Sequence, residues 1–501
     1  MKNRRRIIIA LVLVAVFAVG AVLYLTVLGP ALEPEETVKV PIETQQGEAI
    51  DTTDRIQIFP RITAENVQSI SVKNEYGSFE IYRDPNNDFR IKGHEHLSLR
   101  TTKVSELISI AGYPLARKKI DSSAQEYEQY GLNAPVAEWT ITDKAGETHT
   151  LSVGHRLLTD DGYYICLDGR GAVYELSTSI ETTILLQAQD YVNPLLMAAA
   201  PTNKYYEINR FTISHGKEKF ISFSLVDEKD KKNPDSLAEA AMTYPAEYVP
   251  NEDRVWTVYS LMTGFSGESV VEIGADEKVY AEYGLDDPEY TVAFEYDGKA
   301  YVIFFSGLTE DGYYYASSSI VPDTVVKVAA DTAEFLSYDL FKWISPYPFG
   351  YYITQISSVE VKSGEYDLRF ALKHSKDAKG NDVLEVASND GTDFAPEEMV
   401  KNFRMYYKAM LGVEMIDYTG LSAEENAALA ADSSNMMYSF TYTTLSGKET
   451  TIAFYPYSTR RCLVTINGKG EFYVLIDRVE KMISDTGKLL RGEEIDSFAK
   501  N

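Results

Sequence analysis

The chain has 501 residues, of which 45% are hydrophobic and 25% charged, and its formal net charge is −27. This balance is typical of a globular protein and excludes general disorder. The acidic surface that it predicts repels phosphate backbones and anionic headgroups, which argues against binding to nucleic acid or to lipid surfaces. With Cys166 and Cys462 as the only cysteines, a disulfide framework is excluded, and two buried thiols are expected rather than one bridge.

The first elements predicted along the chain are a membrane anchor and a spacer. Residues 1–6 include four basic side chains, and residues 7–28 follow without a charged residue. About 20 apolar residues suffice to cross a bilayer as a helix, and a positive flank stays in the cytoplasm. A cleaved signal peptide is the alternative, but its apolar core is only about 7–15 residues long. The pattern predicts a cytoplasmic tail (1–6), a transmembrane helix (7–28) and a linker (29–54), with the rest of the chain extracytoplasmic.

The body of the chain contains a duplicated sequence motif. Tyr-Gly-Leu-x-x-Pro occurs at residues 130–135 and again at 283–288, and Leu-Thr-acid-Asp-Gly-Tyr-Tyr occurs at 158–164 and again at 308–314. The spacing differs by a few residues between the copies, which indicates duplication with small insertions and deletions. A repeat at this separation predicts tandem modules of ordinary domain size.

Each part of the motif has a structural interpretation. Residues 123–129 are helix-prone, and Gly131 suits the left-handed residue that ends a helix, with Leu132 returning to contact Tyr127. The proline that follows prevents the helix from resuming. The residues given such structural roles are Tyr130, Gly131, Leu132, Pro135 and Gly162 in the first copy and Tyr283, Gly284, Leu285, Pro288 and Gly312 in the second.

Alternating apolar residues predict hairpins on both sides of the motif. The clearest turns at Asp297-Gly298, and a second hairpin in each copy turns at Asp161-Gly162 or Asp311-Gly312. Residues 440–475 predict a third, degenerate copy. Strand pairs around three further glycines precede the copies, at Gly77, Gly216 and Gly364. The predicted fold class is α+β: a transmembrane helix, then three β-rich modules (55–200, 201–345 and 346–501) built of antiparallel hairpins with an intervening helix.

Candidate chemical sites are few. His94 and His96 are the one close histidine pair and would share a face of a strand as a metal half-site, although exposed strand-end histidines are the simpler interpretation. The acidic pairs 160–161 and 310–311 repeat, but they lack the oxygen-rich loop that calcium needs and suit hairpin corners. Gly468-Lys469-Gly470 is predicted to be a turn rather than a phosphate loop, and motifs for a nucleophile are missing. The sequence therefore predicts no catalytic residue, metal site or cofactor.

Tyrosine is the most distinctive residue type, with 36 in the chain. Clusters lie at residues 313–315, 347–352 and 406–407. Tyrosine serves well at sugar-binding and peptide-binding faces, but it also suits half-buried strands. Both interpretations stay open at the level of the sequence.

The apolar leader and the repeated motif together resemble the bacterial DUF4340 family, a domain of unknown function. The resemblance extends over Asp121–Asn193 and Glu277–Trp343, and more weakly over Phe440–Lys481. It implies a single-pass exported protein with an accessory or binding role near a gliding-type ABC transport system, whose permease is a candidate partner. It supplies no catalytic residues.

The function predicted is non-enzymatic binding or scaffolding at the extracytoplasmic side of the cell membrane. The alternatives are an envelope hydrolase acting on glycan or peptide and a carbohydrate-binding adhesin. A hydrolase should show a cleft with convergent carboxylates in one module, whereas an adhesin should show exposed aromatic rows.

Overall fold

Strands form most of the regular structure, as the alternation of apolar and polar residues predicts. The computed structural model describes residues 44–159, 161–198, 208–225, 240–262, 264–296 and 298–496. These ranges divide into two units, each described by itself. Unit 1 comprises residues 44–67 and 108–180, and unit 2 comprises residues 68–107 and 181–496.

The strands are mostly five to ten residues long. Up to residue 198 they are β1 (Ala49–Ile50), β2 (Ile56–Gln57), β3 (Val67–Asn74), β4 (Gly77–Arg83), β5 (Phe89–Ile91), β6 (Leu115–Ala116), β7 (Lys118–Asp121), β8 (Ala137–Asp143), β9 (Thr148–Arg156), β10 (Gly162–Leu167) and β11 (Val173–Ser177). From residue 208 they are β12 (Ile208–His215), β13 (Glu218–Leu225), β14 (Ala240–Tyr244), β15 (Ser269–Ile273), β16 (Tyr290–Tyr296), β17 (Lys299–Phe305), β18 (Tyr313–Ser318) and β19 (Thr324–Ala329). The last are β20 (Ile356–Ser363), β21 (Asp367–Lys376), β22 (Asp382–Ser388), β23 (Asp417–Tyr418), β24 (Tyr438–Thr444), β25 (Glu449–Pro456), β26 (Arg461–Ile466) and β27 (Lys469–Leu475).

The helices of the described ranges are fewer. They are α1 (Thr101–Gly112), α2 (Glu252–Met262), α3 (Glu277–Glu282), α4 (Leu340–Trp343), α5 (Glu397–Leu411), α6 (Ala423–Ala431) and α7 (Ile476–Arg491). Short 3-10 turns lie at Glu128–Tyr130, Thr178–Thr182, Ala188–Tyr191, Glu334–Ser337, Ile353–Gln355 and Ser433–Asn435.

Two antiparallel sheets in unit 2 repeat one order of eight strands. The first runs β14-β13-β12-β16-β17-β18-β19-β15, and the second runs β22-β21-β20-β24-β25-β26-β27-β23. In each, the first strand in the sequence pairs with the fifth at the centre, and the third strand lies at one edge. The repeat in sequence therefore corresponds to a repeat in topology.

The remaining strands keep parts of the same order. Within unit 2, β5, β4 and β3 pair in that sequence. Within unit 1, neighbouring strands pair in the order β8, β9, β10, β11 and β7. A separate three-stranded sheet is formed by the short strands β1, β2 and β6.

The hairpins predicted from glycine-centred alternation are present. Tyr296 of β16 pairs with Lys299 of β17, with Gly298 at a φ of 69° between them; Asp297 lies outside the described residues. The strand pairs predicted around Gly77, Gly216 and Gly364 are also observed, as β3–β4, β12–β13 and β20–β21. The turn predicted at Gly468-Lys469-Gly470 lies slightly earlier, at Asn467 and Gly468, which both have positive φ, and Lys469 already begins β27.

Aromatic side chains fill the space between each sheet of unit 2 and its helix. In the first sheet, Phe211 of β12 contacts Tyr259 of α2 at a ring separation of 5.9 Å. In the second, Phe370 of β21 contacts Phe403 of α5 at 5.2 Å. Burial of such rings contributes most of the apolar stabilisation of a core.

The predicted fold class is wrong in its helices. The described chain is β-rich, with four antiparallel sheets. The helix expected over residues 123–129 is replaced by the single 3-10 turn Glu128–Tyr130. The reason is hydrogen bonding to residues outside the segment: the Ser123 N–H donates to the carboxylate of Asp121, and the Ala124 N–H donates to the Gly171 carbonyl, which holds the segment beside β7 and β11. Helix propensity is a weak preference that such tertiary contacts override.

The transmembrane helix named in that fold class is likewise not part of the observed architecture. Within the described ranges, no helix has both the length and the apolar character needed to span a bilayer. The predicted tail (1–6), spanning segment (7–28) and the linker up to residue 43 lie outside the described residues. The end of that linker, residues 44–54, contains β1. The module boundaries 55–200, 201–345 and 346–501 stay a prediction.

Candidate functional site

The candidate site lies at the β22 edge of the second eight-stranded sheet, and a tight turn positions it. The hairpin from β21 to β22 turns at residues 377–381. One carboxylate oxygen of Asp377 accepts the backbone N–H groups of Lys379 and Asn381, and Gly380 takes a φ of 86°. Asparagine and aspartate commonly stabilise turns in this way. The turn fixes which residues of β22 face β21.

The register leaves the outer backbone of β22 without a strand partner among the described residues. Hydrogen-bonded pairs bracket the strand: the Asp377 N–H donates to the Asn381 carbonyl, and the Asn389 N–H donates to the Arg369 carbonyl. Because hydrogen-bonded and non-hydrogen-bonded pairs alternate in antiparallel sheets, Leu384 and Val386 occupy non-hydrogen-bonded positions. Their N–H and C=O groups therefore point away from β21, on the edge of the sheet.

A groove of about 1040 Å³ runs along this edge, between β22 and α5. Its apolar lining includes Leu384 and Phe394, which are 5% and 4% exposed, together with Val400. Phe394 is anchored by edge-to-face contact with Phe370 at 5.9 Å and with Phe403 at 6.0 Å. The loop that carries it is held by Asp390, whose carboxylate accepts the Thr392 N–H and both the Thr392 and Ser388 hydroxyls. The groove is thus a preformed concavity beside unpaired strand backbone.

The rim of the groove is acidic. Four carboxylates line it, from Asp382, Glu385, Asp393 and Glu397, against the two cations of Lys401 and Arg404. Lys376 lies 2.9 Å from Asp382, and Lys373 lies 3.0 Å from Glu385. The hydrogen bond from Lys376 is the main cause that lowers the pKa of Asp382.

The other two rim carboxylates have no cationic partner within the described ranges. Asp393 accepts the Ala395 N–H at 2.8 Å, and Glu397 lies in the first turn of α5. Anionic side chains are favoured at that end of a helix. The rim therefore presents negative charge to whatever occupies the groove.

The repeated motif lies elsewhere and has a packing role. In the first copy, the Tyr130 hydroxyl donates to Asp121 at 3.3 Å, and its ring contacts that of Tyr164 at 5.1 Å. In the second copy, the Tyr283 hydroxyl donates to Glu272 at 3.1 Å, and its ring contacts that of Tyr315 at 4.6 Å. Burial, followed by the charge of Glu272, raises the pKa of Tyr283 to about 12. The motif tyrosines thus join an edge strand to the second hairpin in each copy.

The motif glycines and leucines end the preceding helical turn. Gly131 and Gly284 have φ values of 71° and 69°. The Leu132 N–H donates to the Tyr127 carbonyl, and the Leu285 N–H donates to the Tyr280 carbonyl. Both leucines are buried in small apolar clusters. The remaining motif residues lie at strand starts and turns: Pro135 before β8, Pro288 before β16, Gly162 at the start of β10 and Gly312 in the turn before β18.

The described members of the histidine and acidic pairs contact other residues. Within the described ranges, no group of three or more His, Cys, Asp or Glu side chains is placed to hold a metal ion. His96 instead pairs with Asp323 at 2.9 Å, while the His94 ring lies against Gly274. Asp161 pairs with Arg117 at 2.7 Å, and Asp160 lies outside the described residues.

The acidic pair of the second copy behaves in the same way, because Lys327 lies 3.8 Å from Asp311. Cys166 and Cys462 are free thiols, and burial raises the pKa of Cys462 to about 12.

The tyrosine clusters are mostly internal. Tyr314 is buried, Tyr315 packs on Tyr283, and Tyr406 and Tyr407 lie on the buried face of α5. Tyr352 is the most exposed member, at 73%. Most of the clustered tyrosines therefore form core contacts, and Tyr347 and Tyr352 are the exposed ones.

A buried charged cluster in unit 1 also has a structural role. The carboxylate of Glu48, whose side chain is 0% exposed, lies 2.8 Å from the Lys119 ammonium and accepts the Tyr174 hydroxyl. Arg170 donates to the carbonyls of Ile58 and Gln46 beside it. These contacts attach residues 44–58 to β7 and β11.

Sequence reasoning missed the groove. Its local signals were the Asp377-to-Gly380 turn and the alternation of Leu384 and Val386, which predict a hairpin strand but not whether the strand lies at an edge.

Comparison with known proteins supports the family resemblance. A family model described as a domain of unknown function, DUF4340, matches residues 90–278. Searches of curated proteins and of solved structures found no match. The matched range includes Asp121–Asn193, the first stretch on which the resemblance was based. The chain is a DUF4340 domain-containing protein.

Proposed function

We propose that this protein is a non-enzymatic binding or scaffolding protein that captures an extended polypeptide segment along β22. The observation that carries the proposal is the unpaired outer edge of β22 beside a preformed groove. Extended peptides commonly bind by adding a strand to such an edge, with main-chain hydrogen bonds giving affinity and side-chain pockets giving specificity.

The geometry allows two residues of β22 to pair with a guest strand. Leu384 and Val386 each offer one outward N–H and one outward C=O. Each main-chain hydrogen bond contributes about 0.5–1.5 kcal/mol net. Alternate side chains of the guest would pack on the apolar lining formed by Phe394 and Val400. Pairing and apolar burial together support a specific but reversible complex.

The charge of the rim favours a basic guest. Asp393 and Glu397 lack a cationic partner within the described ranges, and the chain as a whole carries a net charge of −27. Lysine or arginine beside the apolar anchors would complement both carboxylates and speed association.

The same proposal includes the cellular setting expected from the family resemblance. The guest is then a segment of an envelope protein or exported polypeptide on the extracytoplasmic side, near an ABC-type transport system. A cytoplasmic location of residues 44–496 in protease-protection experiments on intact cells would reject this part alone.

An envelope hydrolase is the second candidate, favoured by the four carboxylates that line one groove. Against it, Asp382 and Glu385 are exposed and paired with lysines of β21, and the hydrogen bond from Lys376 lowers the pKa of Asp382. A general acid needs a carboxyl group that keeps its proton near the working pH. The charges of this groove suit recognition better than acid catalysis.

Selection from a displayed library of random peptides of about 12 residues tests the proposal. We expect enrichment of alternating apolar and basic residues. Val386→Pro should abolish binding, because proline removes an outward donor yet is tolerated where that N–H faces away from the sheet. Ala387→Pro is the matched control: its N–H pairs with β21, so it should destabilise the sheet.

Two results would reject the proposed mode. The first is a failure to enrich any peptide, and the second is unchanged binding of the selected peptides by a folded Val386→Pro variant. Cleavage of the selected peptides by the purified protein would favour the hydrolase instead.

A further inference from the structure

A second cavity lies at the opposite edge of the same sheet, and the proposed peptide mode does not use it. It encloses about 370 Å³ and is lined by three segments: residues 245–248 after β14, residues 418–427 from β23 into α6, and residues 468–471 at the start of β27. Pockets that bind small metabolites start at about this size. All three segments belong to unit 2.

Glu471 is the acidic group of this cavity. The residue is half-buried, and burial raises the pKa of its carboxyl group. Within the described ranges its side chain has neither an ion pair nor a hydrogen bond; its backbone carbonyl accepts the Thr419 N–H at 2.9 Å. A partly desolvated carboxylate without a partner is costly, so a bound cation would relieve that cost.

Aromatic and amide groups complete the lining. Tyr248 and Tyr418 line the cavity and are held in place by Phe472, at ring separations of 5.4 and 4.8 Å. The amide oxygen of Asn426, a buried lining residue, accepts the Thr419 hydroxyl at 3.0 Å. Aromatic rings beside a carboxylate are the groups that recognise organic ammonium ions.

We propose that this cavity binds a small organic cation that carries a primary or quaternary ammonium group, with Glu471 as the counter-ion and Tyr248 and Tyr418 as an aromatic wall. An inorganic divalent ion fits less well, because calcium and magnesium need several oxygen ligands and the cavity offers one carboxylate. The site is independent of the peptide groove, since β22 and β23 are opposite edges of the sheet.

Lys469 is the one competing cation among the residues that line the cavity. It is exposed, at the first position of β27, and forms no ion pair with Glu471. Its charge should repel an ammonium ligand. Removing the negative charge of Glu471 should therefore weaken ammonium binding, whereas removing the positive charge of Lys469 should strengthen it.

Calorimetric titration of the purified protein with choline, tetramethylammonium and ethylamine tests the inference, with sodium acetate and glucose as comparison solutes. We expect at least one ammonium compound to bind and the comparison solutes not to. Glu471→Gln should weaken that binding by about 10-fold or more, whereas Lys469→Gln should strengthen it. Glu424→Gln, on α6 outside the cavity, is the matched control and should leave it unchanged.

A second variant tests the same cavity without changing Glu471, in case the Glu471 variant does not fold. Ala427 lines the cavity from the exposed side of α6, so Ala427→Leu should obstruct the ligand without disturbing the core. The absence of binding by all three ammonium compounds would overturn the inference. So would binding of glucose or acetate alone, or ammonium binding that survives Glu471→Gln.

Discussion

Gly131 and Gly284 follow the 3-10 turn of the first copy and α3 of the second, and together they test how much a left-handed glycine stabilises each copy. Both glycines have φ near 70°, a conformation that destabilises a residue such as alanine by about 1–2 kcal/mol. Their surroundings differ. A Cβ added at Gly131 would lie 2.7 Å from the backbone nitrogen of His155, whereas one added at Gly284 would lie 3.7 Å from the Cβ of Ser306. The first contact is a clash with backbone, and the second is an ordinary van der Waals contact.

Alanine substitutions should therefore differ in cost. Gly284→Ala should destabilise its module by about 1 kcal/mol from backbone conformation alone. Gly131→Ala adds an overpacking penalty of about 1–3 kcal/mol, giving a total of about 2–4 kcal/mol. The difference arises only from the closer approach of β9 to the first helix end.

Hydrogen exchange followed by mass spectrometry measures each region separately, which suits a chain with two units. Each 1.4 kcal/mol corresponds to a tenfold change in the opening equilibrium. Amides of β8 and β9 should exchange about 30-fold or more faster in Gly131→Ala, and those of β16 and β17 about fivefold faster in Gly284→Ala. Equal effects at the two sites would refute the reasoning.

Three further predictions concern buried polar groups. Tyr406→Phe should lower the free energy of unfolding in urea by about 1–3 kcal/mol, because it removes a buried hydroxyl that bonds both Tyr438 at 2.8 Å and Thr486 at 2.7 Å; an unchanged midpoint would contradict this. Burial raises the pKa of Glu48, but the hydrogen bonds from Lys119, Tyr174 and the Gln45 N–H, with the charge of Lys119, together outweigh burial and hold that pKa below its ordinary value. The stabilising effect of Glu48 is therefore present above the ordinary pKa of a glutamate and is lost as the pH falls through the lowered pKa. Glu48→Gln should lower the stability of unit 1 at pH 7. As the pH is lowered, amide protection in unit 1 should then fall less in this variant than in the unsubstituted protein; an equal fall in both proteins would count against the prediction. Cys462, with its thiol pKa raised to about 12 by burial, should resist iodoacetamide at pH 8 until urea unfolds unit 2, and rapid native labelling would show otherwise.

Local signals in the sequence predicted the hairpins well, because their determinants are local. A glycine that takes positive φ between two alternating stretches is enough to set a two-strand register, as at Gly298. The prediction of a helix over residues 123–129 was wrong because the decisive interactions are not local. The Gly171 carbonyl, distant in sequence, accepts the Ala124 N–H and holds the segment out of helical geometry.

The candidate groove could not be predicted for a related reason. The residues of β22 alternate like those of any half-buried strand, and Leu384 gives no sign that one side of its backbone lacks a neighbour. Edge position is a property of the whole sheet, set here by the pairing of β20 with β24 instead of with β22. The same holds for Glu471, whose surroundings come from three separated segments.

The most direct test of strand addition at β22 is the exchange rate of individual backbone amides, measured by NMR with and without a selected peptide. In the free protein, the amides of Leu384 and Val386 should exchange quickly, and those of Val383 and Glu385, which pair with β21, should exchange slowly. The bound peptide should slow Leu384 and Val386 specifically. Binding that leaves these two amides unprotected would contradict the account.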